Sequence, residues 1–120
     1  MNKSTLVIGA SKKPGRYANM AIELLKEYGH EVYAFGKDSG MVGNTPILQQ
    51  IPTIDGLDTV TMYVAPENQS ELIPKITSLQ PKRIIFNPGT ENPDFEHIAR
   101  LAGIEVEIAC TLVMLRSNQY

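Results

Sequence analysis

The stretch Leu6-Val7-Ile8-Gly9-Ala10-Ser11-Lys12-Lys13-Pro14-Gly15-Arg16 decides the fold class. Three apolar residues stopped by a glycine read as a strand buried on both faces, at the centre of a parallel sheet. The basic, glycine-started turn after it leads into a helix. There Ala21, Leu24, Leu25 and Tyr28 recur at i, i+3, i+4 and i+7, with Asn19, Glu23, Lys26 and Glu27 opposite. Gly29 stands where a helix C-terminal cap belongs.

Working outward, Val32-Tyr33-Ala34-Phe35 reads as a second strand, followed by the turn-forming Gly36-Lys37-Asp38-Ser39-Gly40. Met41 to Gly56, interrupted by Pro46 and Pro52, reads as irregular. Thr59 to Val64 is the third strand, stopped by Ala65-Pro66. A second helix buries Leu72, Ile73, Ile76 and Leu79, and Pro74 within it predicts a kink or a late start. Arg83-Ile84-Ile85-Phe86 is the fourth strand, ending at Asn87-Pro88-Gly89. Asn92 and Pro93 then open a helix that turns Phe95, Ile98, Ala99 and Ala102 inward and closes at Gly103. Val106 to Ala109 is the fifth strand, and the tail through Leu112 and Leu115 stays apolar enough to pack on the domain.

Strands alternating with helices predict one α/β domain over residues 1–120. The expected form is Rossmann-like and doubly wound: a five-stranded parallel sheet in the order 3-2-1-4-5, with helices on both faces. Ligands of such sheets bind outside the carboxyl ends of the strands, at the switch point beside the first strand. The loops opening at Gly9, Gly36, Val64 and Asn87 converge on that rim.

Composition narrows the functions. The 120 residues carry 11 Lys+Arg against 13 Asp+Glu, a net charge of −2, so no basic footprint for nucleic acid or an anionic membrane exists. Cys110 is the single cysteine, which removes disulfide frameworks and multi-cysteine metal sites and fits a reducing, cytoplasmic setting. The start from Met1 has one lysine and too short an apolar run for a signal peptide, and no later run approaches ~18 apolar residues.

The turn from Gly9 to Arg16 suits a phosphate. Backbone N–H groups and the positive end of a helix dipole attract anions, Ser11 can donate from its hydroxyl, and Lys12, Lys13 and Arg16 supply charge. It is not a Walker A loop, because five residues separate Gly9 from Gly15 and Arg16-Tyr17 follows where Lys-Ser/Thr is required. It departs from the dinucleotide fingerprint too, with Ser11 and Pro14 in place of the second and third glycines. After the second strand, Lys37 favours a ribose carrying a phosphate, as in coenzyme A or NADP, while Asp38 keeps NAD open. Ala65-Pro66 and Asn87-Pro88-Gly89 fix the other strand ends, where glycine lets backbone approach a ligand closely.

A catalytic constellation is missing from this pattern. His30 and His97 have no partner at metal-ligand spacing; His30 reads as a cap on the first helix, and His97 as solvated. No Gly-x-Ser-x-Gly elbow occurs. Cys110 reads as a small buried hydrophobe, and Met62 and Met114 as core filler.

Val7-Ile8-Gly9-Ala10-Ser11 with Pro14 and Arg16, then Gly29-His30-Glu31-Val32-Tyr33 and Asn87-Pro88-Gly89, resemble the stand-alone bacterial CoA-binding proteins. These are similar to the CoA-binding domain of the succinyl-CoA synthetase alpha subunit. The resemblance spans the chain from the first strand to Cys110. It implies that Gly9, Ala10, Ser11 and Arg16 cradle the pyrophosphate of coenzyme A. It implies too that Gly36-Lys37, Val64-Ala65-Pro66 and Asn87-Pro88-Gly89 line the adenosine and pantetheine path. Gly36-Lys37 stands where many relatives have Asn-Pro. The synthetase's phosphorylated histidine belongs to a domain this chain lacks, so ligase activity is not implied. The expected function is therefore non-catalytic binding of CoA or an acyl-CoA. A small NAD(P)-binding enzyme or redox sensor is the alternative. A ligand-free scaffold acting through its apolar tail, and a homodimer, remain open.

Overall fold

A computed structural model describes residues 2–120; Met1, where the leader-free start was read, lies outside them. The strands are β1 (Thr5–Ile8), β2 (Val32–Phe35), β3 (Gly40–Val42), β4 (Thr45–Leu48), β5 (Thr59–Met62), β6 (Arg83–Phe86) and β7 (Glu105–Ile108). The helices are α1 (Tyr17–Glu27), α2 (Leu72–Ser78), α3 (Pro93–Leu101) and α4 (Thr111–Arg116), with a 3-10 turn at Pro66–Asn68.

The expected five-stranded parallel sheet is corrected to a mixed sheet of seven strands among the described residues, in the order β3-β4-β2-β1-β5-β6-β7. The segment read as irregular supplies the extra two. Val42-Gly43-Asn44-Thr45 closes a β3–β4 hairpin, and Gly43 at φ +59° takes the first central position of its two-residue turn. β4 then pairs parallel to β2, filling the place expected for the Thr59 strand. β5 instead crosses to the far side of β1 in full register, Thr5 beside Thr59 and Ile8 beside Met62. Counted along the six parallel strands, the order is 3-2-1-4-5-6, so the strand order reverses between β1 and β5.

Alternate residues of β1 face opposite layers, which is why this strand is apolar throughout. Leu6 and Ile8 join Val60, Met62, Ile84 and Phe86 beneath α2 and α3; Val7 joins Ala34 and Ile47 beneath α1 and α4. Phe95 meets Phe86 edge-on at 5.4 Å. The tail forms α4, which buries Leu112, Met114 and Leu115 against the domain as expected.

Local chemistry explains the helix ends. Gly29 at φ +88° donates to the Lys26 carbonyl and His30 to that of Leu25, a glycine-closed terminus. The His30 cap is thus its backbone N–H; the ring instead accepts the Lys3 N–H at Nδ1, 2.9 Å. α2 starts late: Pro74 is its third residue, where an N–H has no intrahelical partner to lose. Asn92 caps α3 by accepting the Phe95 N–H at 3.2 Å. Two inward assignments change. Ile98 is exposed, and the buried stripe of α1 runs through Ala18, Ala21, Ile22 and Leu25 with Asn19, the exposed-side expectation, buried as well.

Candidate functional site

The carboxyl ends of β1, β5 and β6 enclose a cleft of about 300 Å³ at the point where the strand order reverses. Gly9, Ser11, Arg16, Ala65, Pro88 and Gly89 line it, six of the residues marked in the sequence. Thr90, next along the Asn87-Pro88-Gly89 loop, lines it too, as do Tyr17, Ala18 and Tyr63, which carry no site signal in the sequence. Broader hollows on the flanks of α1 and of α2, about 590 and 620 Å³, include no residue of the Gly9–Arg16 turn.

Two glycines let the loops meet. A Cβ on Gly9, at φ +97°, would stand 2.7 Å from the Tyr63 carbonyl oxygen. On Gly36 it would stand 2.3 Å from the Ala10 carbonyl oxygen. Any side chain at either position would push backbone apart. Gly9 and Ala10 both donate their N–H groups to the Phe35 carbonyl at 2.8 Å, so these N–H groups tie the turn to β2. The N–H groups without a partner lie further on. The Ser11 and Lys12 N–H groups, and those of Tyr17, Ala18 and Asn19 in the first turn of α1, have no partner among the described residues. Arg16 at the N-cap position makes no side-chain cap, which leaves this helix end open to an anion. Asn19 stiffens the turn by donating from Nδ2 to the Ser11 carbonyl at 2.9 Å.

Lys12, Lys13, Arg16 and Lys37 are exposed around the turn. The aliphatic part of Lys12 lies against Gly40 of the unforeseen β3. Lys13, Lys37, Val64 and Pro66 flank the cleft loops without lining the cavity.

Asn87 is 2% exposed, and its side chain holds the scaffold. Nδ2 donates to Thr61 Oγ1 (2.7 Å) and to the Met62 carbonyl (2.8 Å), while Oδ1 accepts the Thr111 N–H (2.8 Å). Those bonds fix the ends of β5 and β6 and the start of α4. Gln69, unmarked in the sequence, performs the same task across the cleft. It is fully buried; Nε2 donates to the Val64 and Thr90 carbonyls, both at 2.8 Å, and Oε1 accepts from Asn92 Nδ2 at 3.0 Å. The two loop walls are thereby stapled together. A Pro-Glu-Asn turn before an isolated glutamine carries no sequence signal for that role.

Tyr63 forms the far wall. Its hydroxyl is buried beside the mutually bonded Thr61 and Thr111 hydroxyls with no partner of its own, and burial holds the phenol neutral by pushing its pKa well up. Beyond it lies a second, apolar-lined pocket of about 320 Å³ that includes Asn87, Pro88, Cys110, Leu112 and Val113 and shares Tyr17, Tyr63 and Pro88 with the cleft. His97 is exposed, and His30 sits at the opposite end of the sheet. No group of three His, Cys, Asp or Glu side chains with metal-site geometry occurs among the described residues, and no helix among them is long and apolar enough to cross a membrane.

Comparison with known proteins follows the same outline. A crystal structure of an uncharacterized protein is 47% identical, superposes with a TM-score of 0.97, and covers 100% of this chain and 99% of its own. A Thermus thermophilus protein superposes with a TM-score of 0.84 at 22% identity, over 98% of this chain and 90% of that one. The Ca. Korarchaeum cryptofilum dinucleotide-forming acetyl-coenzyme A synthetase 1, in complex with phosphate and ADP, matches in fold at 19% identity and a TM-score of 0.70, over 88% of this chain but 25% of that one. No protein of curated function matches. The CoA binding domain model matches residues 3–116, and the chain therefore belongs to the CoA binding domain family.

Proposed function

We propose that the chain binds coenzyme A or an acyl-CoA without transforming it, at the carboxyl edge of the sheet. The observation that carries this reading is the open N-terminus of α1, with unpartnered N–H groups and Arg16 beside it, facing the cleft between β1 and β5. A pyrophosphate there gains backbone donors and the helix dipole together. Lys37, past the end of β2, and Lys12, in the turn after β1 with its side chain against Gly40, suit a phosphorylated ribose. Ala65-Pro66 and Pro88-Gly89 present an uncharged path on the other side. Family membership supports the ligand class, and the recurrence of this fold within an acetyl-coenzyme A synthetase is in keeping with it.

The non-catalytic part of the reading rests on what lines the cleft. Ser11 there has no imidazole or carboxylate to activate it, and the Tyr63 phenol is held neutral. A dye-based thermal shift against CoA, acetyl-CoA, NAD, NADP and ATP tests the ligand. Ligand at ~100 times its dissociation constant adds roughly 2.7 kcal/mol, a rise of about 5–15 °C for a domain of this size. A rise with the CoA compounds alone is expected; a rise with NAD or NADP alone would contradict the reading.

A further inference from the structure

We propose that the apolar pocket beside Tyr63 receives the acyl group of a CoA thioester, so that the preferred ligand is a short-chain acyl-CoA and not free CoA. The inference rests on the CoA reading of the cleft and extends it to the far end of the ligand.

Charge sets the direction in which the ligand runs. The cations Lys12, Lys13, Arg16 and Lys37 all belong to the turns after β1 and β2. Across β5 and β6 the rim offers Ala65, Pro66, Pro88 and Gly89, and the Gly89 N–H already donates to Glu91 Oε1 at 2.8 Å. A carboxylate in that position repels a second anion. A ligand whose phosphates sit at the α1 terminus therefore sends its uncharged arm over β5 and β6 towards β7. From β1 to β7 is three strand spacings, about 14 Å, within the reach of an extended pantetheine arm.

At that end the arm meets the pocket. Its volume is about 320 Å³, and Tyr17, Tyr63 and Pro88 are common to its wall and the wall of the cleft, so the two cavities adjoin. Leu112 and Val113 of α4 supply its floor and lip, and Arg116 stands exposed at its edge. The Asn87 side chain and the Thr111 N–H bond to each other, and the Thr111 hydroxyl bonds to that of Thr61, so these groups make no polar demand on an occupant. An apolar pocket at the end of a polar track selects a hydrocarbon group, and its size limits that group to a few carbons once the arm's terminus has entered.

The test is a calorimetric titration of the full chain with CoA, acetyl-CoA and butyryl-CoA, with a reductant present so that Cys110 forms no disulfide with free CoA. Each buried methylene is worth about fourfold in affinity, so butyryl-CoA is expected to bind at least tenfold more tightly than CoA. Val113 is 60% exposed, so Val113→Trp fills the lip without touching the core and should bring the butyryl-CoA to CoA affinity ratio to about one. Val113→Asp, which places a charge there, should do the same if the tryptophan variant fails to fold. Equal affinities in the wild type would overturn the proposal, as would a ratio that survives both substitutions. Wild-type protein that binds none of the three compounds would overturn the CoA reading itself.

Discussion

Replacing Gln69 by leucine removes the staple between the two loop walls. The side chain is fully buried, so the Val64 and Thr90 carbonyls and the Asn92 amide all lose a partner. An orphaned buried group costs about 1–3 kcal/mol. The half-buried Asn92 recovers part of its loss from water, and the added apolar burial of leucine returns about 1 kcal/mol. The net cost is about 2–4 kcal/mol, which at ~3–5 °C per kcal/mol lowers Tm by roughly 6–20 °C. The matched control is Ile76→Ala in α2, a buried position under the sheet with a similar expected cost of about 2–5 kcal/mol. Thermal denaturation followed by far-UV circular dichroism measures both, and calorimetry at a temperature where both are folded measures CoA binding. Gln69→Leu should weaken CoA about tenfold, while Ile76→Ala leaves it within twofold. A Tm loss under ~3 °C, or equal CoA affinities in the two variants, would refute the staple argument.

Gly36→Ala brings a Cβ to 2.3 Å from the Ala10 carbonyl oxygen, so the turn must move; CoA affinity measured by calorimetry should fall more than tenfold, and wild-type affinity would contradict the close-approach reading. Arg16→Ala, at an exposed residue, should leave the stability of the free protein within about 0.5 kcal/mol yet weaken CoA about tenfold or more and flatten the salt dependence of binding. For His30, burial and then the Lys3 and Arg83 cations lower the pKa from 6.5. The unfolded chain therefore takes up the proton first, and stability falls as pH drops through about 6.5, levelling off below the depressed folded value. Thermal denaturation between about pH 7.5 and 5.5 should show that fall, and His30→Asn, whose Oδ1 can accept the Lys3 N–H, should reduce it; an identical profile would assign the effect elsewhere.

What the sequence made legible follows from how local each signal is. Leu6-Val7-Ile8 stopped by Gly9 gave the central strand and its turn because both depend on a few adjacent residues. Asn92-Pro93 and Gly29 marked helix ends through capping chemistry that is equally local. The β3–β4 hairpin was missed although Gly43-Asn44 is a two-residue hairpin signal, because Pro46 argues against a strand. Pro46 sits exposed opposite Met41, and the strand tolerates it. That omission shifted the strand count, so the Thr59 strand was set on the wrong side of the sheet. Asn19 read as exposed from its side of the helix, but its bond to Ser11 depends on the turn folding back, a contact the helical period does not encode. Within the site, the glycines and Arg16 were visible as backbone and charge chemistry. Asn87 was visible as a position, yet its role as a brace through Thr61, Met62 and Thr111 depends on partners 24 to 26 residues away. Gln69 and the Leu112–Val113 wall acquire meaning only from tertiary placement.

The central claim is that the Gly9–Arg16 turn and the first turn of α1 hold the pyrophosphate of CoA. Titrating CoA into ¹⁵N-labelled protein and following the backbone amides tests it most directly. The account predicts the largest shifts at Ser11, Lys12, Tyr17, Ala18 and Asn19, whose N–H groups have no partner within the described residues. Shifts centred instead on the hollow on the flank of α1 around Glu23, Lys26 and Glu27, or no shifts at saturating CoA, would contradict it.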